Sequence, residues 1–395
     1  MELLYISNYQ FMKTNGKVYS LPAYGDNFWL KYLNVFDRIR VLGIETKDYL
    51  KDGAKSQIMD SRIEVDIIPS NIHPRDFKND KEIKQILYKE IEKAEAILIK
   101  PSARKGIMAI KIAERLKKPY MIELTGDLKL TLSTNPSLLK RLYSPIIHHQ
   151  IVKAIKNAPF GLYVTERYLQ KVYPIAGKQC GITDSVIDYV DEEVLSERLK
   201  HISNREQGQT INIGLIGSYN GNRKGIDTAI KALSLLGDNI ISFNILYNGS
   251  EKDREYWINY AKSQKMPCQL SFPKPRHSGE EVMRWIDTQD VIILPSRSEG
   301  LPRCIVESMS RACPCITSDV CGMPELINNT WIHGPEDYET LAKLLGKMIN
   351  DRKCQEEAAI ENFNNSKRFL RNVLEQKRDS FLAEFRDYCI QHRVQ

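Results

Sequence analysis

Glu299 and Glu307 stand eight positions apart in a stretch running from Pro295 to Glu325. Ahead of them, Val291-Ile292-Ile293-Leu294 reads as a buried strand, and Pro295-Ser296-Arg297-Ser298-Glu299-Gly300-Leu301 as the loop at its carboxyl end. Pro302 occupies the place of a first helical residue, which predicts a helix from Pro302 to about Arg311. Glu299 then lies in the loop and Glu307 on the helix, offset by several ångströms at a rise of ~1.5 Å per residue. A carboxylate suits paired hydroxyls, because its two oxygens match a vicinal diol such as a ribose or hexose ring offers. A phosphate needs N–H groups or cations instead. The amides of Gly300 and Leu301 at the helix start form one place for an anion, and Gly300 permits close backbone approach.

Cations stand at the end of Ile213-Gly214-Leu215-Ile216-Gly217-Ser218-Tyr219-Asn220-Gly221-Asn222-Arg223-Lys224-Gly225, a strand, a glycine-bearing loop and a helix start. Arg223 and Lys224 could neutralise a diphosphate there. The glycines at 214, 217 and 221 do not make G-x-G-x-x-G, and no G-x-x-x-x-G-K-[ST] occurs, so the dinucleotide and P-loop fingerprints are lacking. A plain strand-to-helix turn accounts for this loop equally well. Asp127 follows the strand candidate Tyr120–Leu124, at the strand's cleft end, and reads either as a polar group for a ligand or as a helix cap. Gly16, after the first strand, reads as a close backbone approach to a ligand or as a simple turn. His277, after Pro273-Lys274-Pro275-Arg276, lines a nucleotide pocket or sits in solvent.

Positioning such residues requires strands that end at one edge. Short apolar runs bounded by turn residues alternate with amphipathic stretches, the pattern of βα units feeding a parallel sheet, and the pattern occurs twice. Strands are predicted at Glu2–Ile6, Arg40–Gly43, Glu64–Ile68, Ala96–Lys100, Tyr120–Leu124 and Gly161–Val164, then at Ile211–Ile216, Ile241–Leu246, Gln269–Phe272, Val291–Leu294 and Pro314–Ser318. Gly177 to Gln209, polar and poorly periodic, reads as the linker. The final stretch carries an apolar stripe at Leu370, Leu374, Phe381, Phe385 and Tyr388, a long helix that could pack across both halves. A chain of 395 residues fits two domains. Two Rossmann-like α/β domains facing a central cleft place ligands at the strand ends.

Composition excludes several classes. At 42% hydrophobic and 27% charged residues the chain is that of a globular protein, and its net charge of +7 is spread without a nucleic-acid stripe. Met1-Glu2-Leu3-Leu4 lacks a basic n-region, and no apolar run approaches a membrane span, so a cytoplasmic chain is expected. Eight cysteines without C-x-x-C pairs read as reduced thiols, mostly core filler, and no metal site is expected.

Pro-Ser-Arg-Ser-Glu-Gly-Leu-Pro-Arg, Glu307 eight positions after Glu299, and Ser318-Asp319-Val320-Cys321-Gly322-Met323-Pro324-Glu325-Leu326-Ile327 resemble the donor-site signature of GT-B retaining glycosyltransferases of family 4. The resemblance covers most of residues 210 to 350. It implies an acceptor-side domain over 1–190, a nucleotide-sugar donor domain over 205–370, and a helix over 371–395 crossing back to the first domain. It further implies that Glu307 contacts the donor ribose, Glu299 the transferred sugar, and Lys224, assisted by Arg223, the diphosphate. Gly300, Leu301, His277 and Gly16 complete the donor pocket, and Asp127 joins Glu299 at the reacting sugar. Where the family often carries a further arginine, Ser218 or Tyr219 stands here; where many relatives place a histidine, this chain has Thr125 and Gly126. The implied activity is metal-independent, retaining transfer from a nucleoside-diphosphate-sugar, used as co-substrate without a cofactor, to a carbohydrate or lipid-linked acceptor in bacterial surface polysaccharide or glycan synthesis. A peripheral contact with the inner membrane face goes with such an acceptor, and no nucleic acid is expected. A nucleotide-sugar epimerase and a non-catalytic sugar-nucleotide-binding protein remain the competing readings.

Overall fold

Valine- and isoleucine-rich runs too short for helices pair as parallel strands, and the amphipathic stretches between them cover the sheets. The computed structural model describes residues 1–46, 55–72, 74–206, 208–218, 222–237, 240–246, 249–273 and 279–392. The chain divides into two compact units, Met1–Ile182 together with Glu375–Gln395, and Thr183–Leu374. No helix among the described residues is long and apolar enough to cross a membrane.

The first unit holds β1 (Glu2–Thr14), β2 (Lys17–Ser20), β3 (Arg38–Glu45), β4 (Ser56–Gln57), β5 (Ile63–Ile68), β6 (Ala96–Ile99), β7 (Tyr120–Leu124), β8 (Phe160–Tyr163) and β9 (Lys178–Gly181). Its parallel part runs β5-β3-β1-β6-β7-β8-β9. Strand β1 is longer than its apolar run predicts. After a register shift between Ile6 and Gln10 it continues to Thr14 and turns back through Asn15 and Gly16 onto antiparallel β2. Asn15 and Gly16 have φ of 50° and 73°, the left-handed pair that a two-residue hairpin turn needs. Gly16 is therefore a hairpin-turn glycine, and the Asn-Gly dipeptide was the available signal.

Helices Asp80–Lys93, Arg104–Arg115 and Leu138–Ile155 bury Ile83, Leu87, Ile91, Ile110, Ile147 and Ile151 against Ile97, Ile99 and Ile122 of the sheet. One carboxylate sits inside this unit. Glu123 of β7 is 4% exposed and accepts from the hydroxyls of Tyr5 and Tyr32, with the Lys100 ammonium 3.6 Å away. The final helix, Arg371–Gln391, packs its stripe into the same unit, its Phe381, Phe385 and Tyr388 rings 5.6, 5.4 and 5.3 Å from the Phe160 ring of β8.

The second unit holds β10 (Ile211–Ile216), β11 (Ile241–Leu246), β12 (Gln269–Ser271), β13 (Val291–Leu294), β14 (Cys315–Ser318) and β15 (Ile332–His333), all pairs parallel, in the order β12-β11-β10-β13-β14-β15. This is the doubly wound order, and its direction reverses between β10 and β13. Loops leaving the carboxyl ends of those two neighbours open a crevice there.

The predicted linker is corrected. Gly177 to Gln209 contains β9 and the helix Glu192–Asn204, which belongs to the second unit. Its inner face is carried by Ile202 and by a buried arginine: Arg198 donates to the carbonyls of Gln289 at 2.6 Å and Ile286 at 3.2 Å. A guanidinium that caps the end of a neighbouring helix from below leaves no apolar period to read.

Removing the largest wedge between the last helix and β8 tests that packing. Phe385→Ala, at a fully buried position, is expected to cost about 3–5 kcal/mol. The measurement is the urea unfolding curve followed by near-ultraviolet circular dichroism.

Candidate functional site

The loops after β10 and β13 meet at the point where the sheet order reverses, and glycines make the meeting possible. Gly225 has φ of 70°, and a Cβ placed on it would lie 1.9 Å from the Pro295 carbonyl oxygen. Gly217 leaves room for the Lys224 stem, since a Cβ there would lie 2.7 Å from Lys224 Cε. Arg297, which had no assigned role, fastens the two loops. Its guanidinium donates to both oxygens of Asp227 at 2.9 and 2.8 Å and to the Asn222 carbonyl at 2.8 Å, while its backbone N–H donates to the Arg223 carbonyl at 2.9 Å. Its Nε reaches Glu336 at 2.6 Å.

Held in this way, Lys224 and Glu299 come together although 75 positions separate them: Lys224 Nζ donates to Glu299 Oε1 at 2.6 Å. Both side chains are about nine-tenths buried, at 11 and 8% exposure. The Ser296 hydroxyl donates to the same oxygen at 2.8 Å, so both bonds fall on Oε1 and the lysine keeps two further protons to donate. Ser318 of β14 locks this loop from below, its hydroxyl donating to the Ser296 carbonyl at 2.6 Å. Arg223, by contrast, is exposed and contributes its backbone carbonyl to the loop junction.

The helix after the loop is Arg303–Ser310, with Pro302 as its N-cap, one position later than predicted. Gly300 is tied by its carbonyl to the Gly322 N–H at 3.1 Å, and the Leu301 carbonyl accepts from the Ser185 hydroxyl at 3.0 Å. Their carbonyls thus point into the protein's own hydrogen-bond frame. Glu307 is buried on the helix at 7% exposure, and Arg303 Nε donates to its Oε1 at 2.7 Å. Burial pushes the Glu307 carboxyl up, and the Arg303 guanidinium offsets this only in part. Glu325 lies in the turn Met323–Glu325, its carbonyl accepting from Arg368. His277 lies outside the described residues.

Asp127 and Gly16 belong to the first unit. Asp127 is a helix cap: its Oδ1 accepts from the Leu130 N–H at 3.2 Å and the Tyr173 hydroxyl at 2.8 Å, and its Oδ2 from the Tyr168 hydroxyl at 2.8 Å. At 4% exposure with both oxygens engaged, it holds the start of helix Leu128–Ser133 rather than presenting a free carboxylate. Cys304 lies on the helix and Cys315 in β14; four of the eight cysteines are buried, four are partly buried, and none is in a disulfide among the described residues. Among the described residues no group of three or more His, Cys, Asp and Glu side chains is placed to hold a metal ion.

Two α/β units, each built on a largely parallel sheet, with paired loops at the reversal of the second sheet, make up the GT-B architecture. HepE of Anabaena, solved in complex with UDP-glucose, has this fold with a TM-score of 0.61 at 15% identity, covering 97% of this chain and 100% of that one. Residues 197–365, most of the second unit, match the family model of glycosyl transferases group 1. The chain is similar along its length to Protein CapJ of Staphylococcus aureus, 26% identical over 391 residues, 98% of this chain and 96% of that one. A shorter stretch of 75 residues is 33% identical to the amylovoran biosynthesis glycosyltransferase AmsK of Erwinia amylovora, covering 17% of this chain and 18% of that one.

The loop fastening is testable through acid. Burial pushes the Asp227 carboxyl up, but the hydrogen bonds from Arg297 and Asn222 outweigh it and hold the group below the usual carboxylate range. Its stabilisation is then fully present above its unfolded pKa of about 3.9 and is lost as pH falls through the lower folded value. Asp227→Asn is expected to lower stability at pH 7 by about 1.5–3 kcal/mol. The gap between variant and wild type in urea midpoint should narrow from pH 5 to pH 3.

Proposed function

We propose that the protein transfers a sugar, with retention and without a metal ion, from a nucleoside-diphosphate-sugar to a carbohydrate or lipid-linked acceptor in surface polysaccharide synthesis. The carrying observation is the buried Lys224–Glu299 pair at the reversal of a doubly wound sheet, with Glu307 one helix start away. HepE, which shares the fold, was solved with UDP-glucose, and AmsK is named for amylovoran biosynthesis, which supports the donor and acceptor classes.

In this reading Glu307 takes the ribose diol through the oxygen that Arg303 does not occupy, and Glu299 offers Oε2 to the transferred sugar. Lys224 stands between Glu299 and the diphosphate. Its ammonium neutralises the carboxylate on one side and the leaving phosphates on the other, so two anions can share one crevice. Arg223, exposed at the same loop, closes on the diphosphate from solvent. The amides of Gly300 and Leu301 add donors at the helix start, because their carbonyls are the groups already tied to the protein frame. Transfer from a nucleoside diphosphate needs negative charge stabilised at the leaving group and positive charge at an oxocarbenium-like sugar; the cations serve the first and the Glu299 carboxylate the second. Asp127, in the first unit, is a positioning residue that holds the start of the helix after β7. The enzyme works in the cytoplasm, in peripheral contact with the inner membrane face.

Two measurements test this. Glu307→Ala removes a charge-assisted contact worth about 1.5–3 kcal/mol, so affinity for the nucleotide-sugar should fall about 10- to 150-fold with the melting temperature of the free protein little changed; unaltered donor affinity would refute the ribose assignment. Activity should survive EDTA, and loss that magnesium or manganese restores would refute the metal-independent reading.

A further inference from the structure

Leu138, Leu139, Leu142 and Ile146 are exposed at 61, 79, 63 and 53%, and all four lie in the first half of the helix Leu138–Ile155. The other side of this helix belongs to the core. Ser144, Ile147, Ile151, Ala154 and Ile155 are buried, and the Ser144 hydroxyl donates to the Lys129 carbonyl at 2.6 Å. At about 100° per residue, Leu138, Leu142 and Ile146 line the side opposite those residues, followed along the same face by exposed His149, Lys153 and Lys156. A helix that is apolar on both sides wants cover on both. This one has it on the core side.

The charge of this segment is one-signed. From Leu128 to Thr165 the sequence contains no aspartate or glutamate, whereas Lys129, Lys140, Arg141, Lys153 and Lys156 are all exposed. Elsewhere in the chain acids and bases interleave, 50 against 57 in total. We infer that this face seats the first unit on an anionic lipid surface, the leucines and isoleucine entering the headgroup boundary and the lysines and arginine meeting lipid phosphates. A second copy of the chain is the poorer occupant, since it would set the same cations against each other. A protein partner fits poorly as well, because lysine is depleted from interface cores. The inference deepens the peripheral membrane contact proposed above and rests on that reading, but it is independent of the donor chemistry.

The test is flotation of the full chain with vesicles of phosphatidylglycerol and phosphatidylcholine, and with phosphatidylcholine alone. Binding should require the anionic lipid and weaken with salt. Each cation near such a surface is worth about fivefold in partition, so Lys153→Glu with Lys156→Glu should reduce binding by at least ~10-fold. Leu139→Ser with Leu142→Ser should reduce it comparably while leaving the far-ultraviolet spectrum and melting temperature unchanged, as expected for exposed positions. Absence of vesicle binding, or binding that neither pair alters, overturns the assignment. So does a dimer, seen by sedimentation, that the leucine pair abolishes. Nucleotide-sugar thermal shift is read on the same preparations. A chain that binds nucleotide-sugar but no vesicles overturns the docking alone, and one that binds vesicles but no nucleotide-sugar overturns the transferase reading alone.

Discussion

The Arg297 guanidinium is the interaction on which the candidate site depends. Without its fork on Asp227 and its bond to the Asn222 carbonyl, the loop after β10 and the loop after β13 would be two surface turns with separate mobilities. Joined, they bring an ammonium and a carboxylate 75 positions apart in the sequence to hydrogen-bond distance. The planar, five-donor guanidinium suits this work better than an ammonium, because one head group can engage a carboxylate in two places and still hold a carbonyl. The close approach it secures is allowed by Gly225, where any side chain would strike the Pro295 carbonyl.

Two buried ion pairs show how environment separates roles. Glu123 in the first unit is enclosed by Tyr5, Tyr32 and Lys100, every partner belonging to the protein itself. Such a carboxylate is spent on the core. Glu299 is nearly as buried, yet its two protein donors converge on a single oxygen. Asp127 falls with the first kind, having both oxygens taken by a helix N–H and two tyrosine hydroxyls. Burial alone therefore does not decide whether a carboxylate has an oxygen to spare; the distribution of donors over its two oxygens does.

Much of this was legible in the chain. Apolar runs such as Val291–Leu294 announce strands because a buried parallel strand needs nothing but apolar residues, and the residue types at 224, 299 and 307 announce their chemistry. Their partners were not legible. Arg297 has no role that the sequence assigns, and only the three-dimensional meeting of its loop with Asp227 turns it into a fastening. Asp127 finds Tyr168 and Tyr173 more than 40 positions away. Helix Glu192–Asn204 hid as a linker because its inward face uses a guanidinium where a periodicity argument looks for leucine. The hairpin at Asn15-Gly16 is different, since its dipeptide was a sufficient signal that the apolar run ending at Ile6 obscured.

The return of the last helix to the first unit bears on how the chain is made. Phe160 of β8 is covered by Phe381, Phe385 and Tyr388, more than 200 positions further along. A ribosome delivers the whole of the second unit before that cover leaves the exit tunnel. During those seconds the β8 face stays bare, while the second unit can close by itself. Synthesis order and folding order thus run opposite to each other here, and a nascent chain stalled before Phe381 would present chaperones with an unfinished amino-terminal unit beside a finished carboxyl-terminal one.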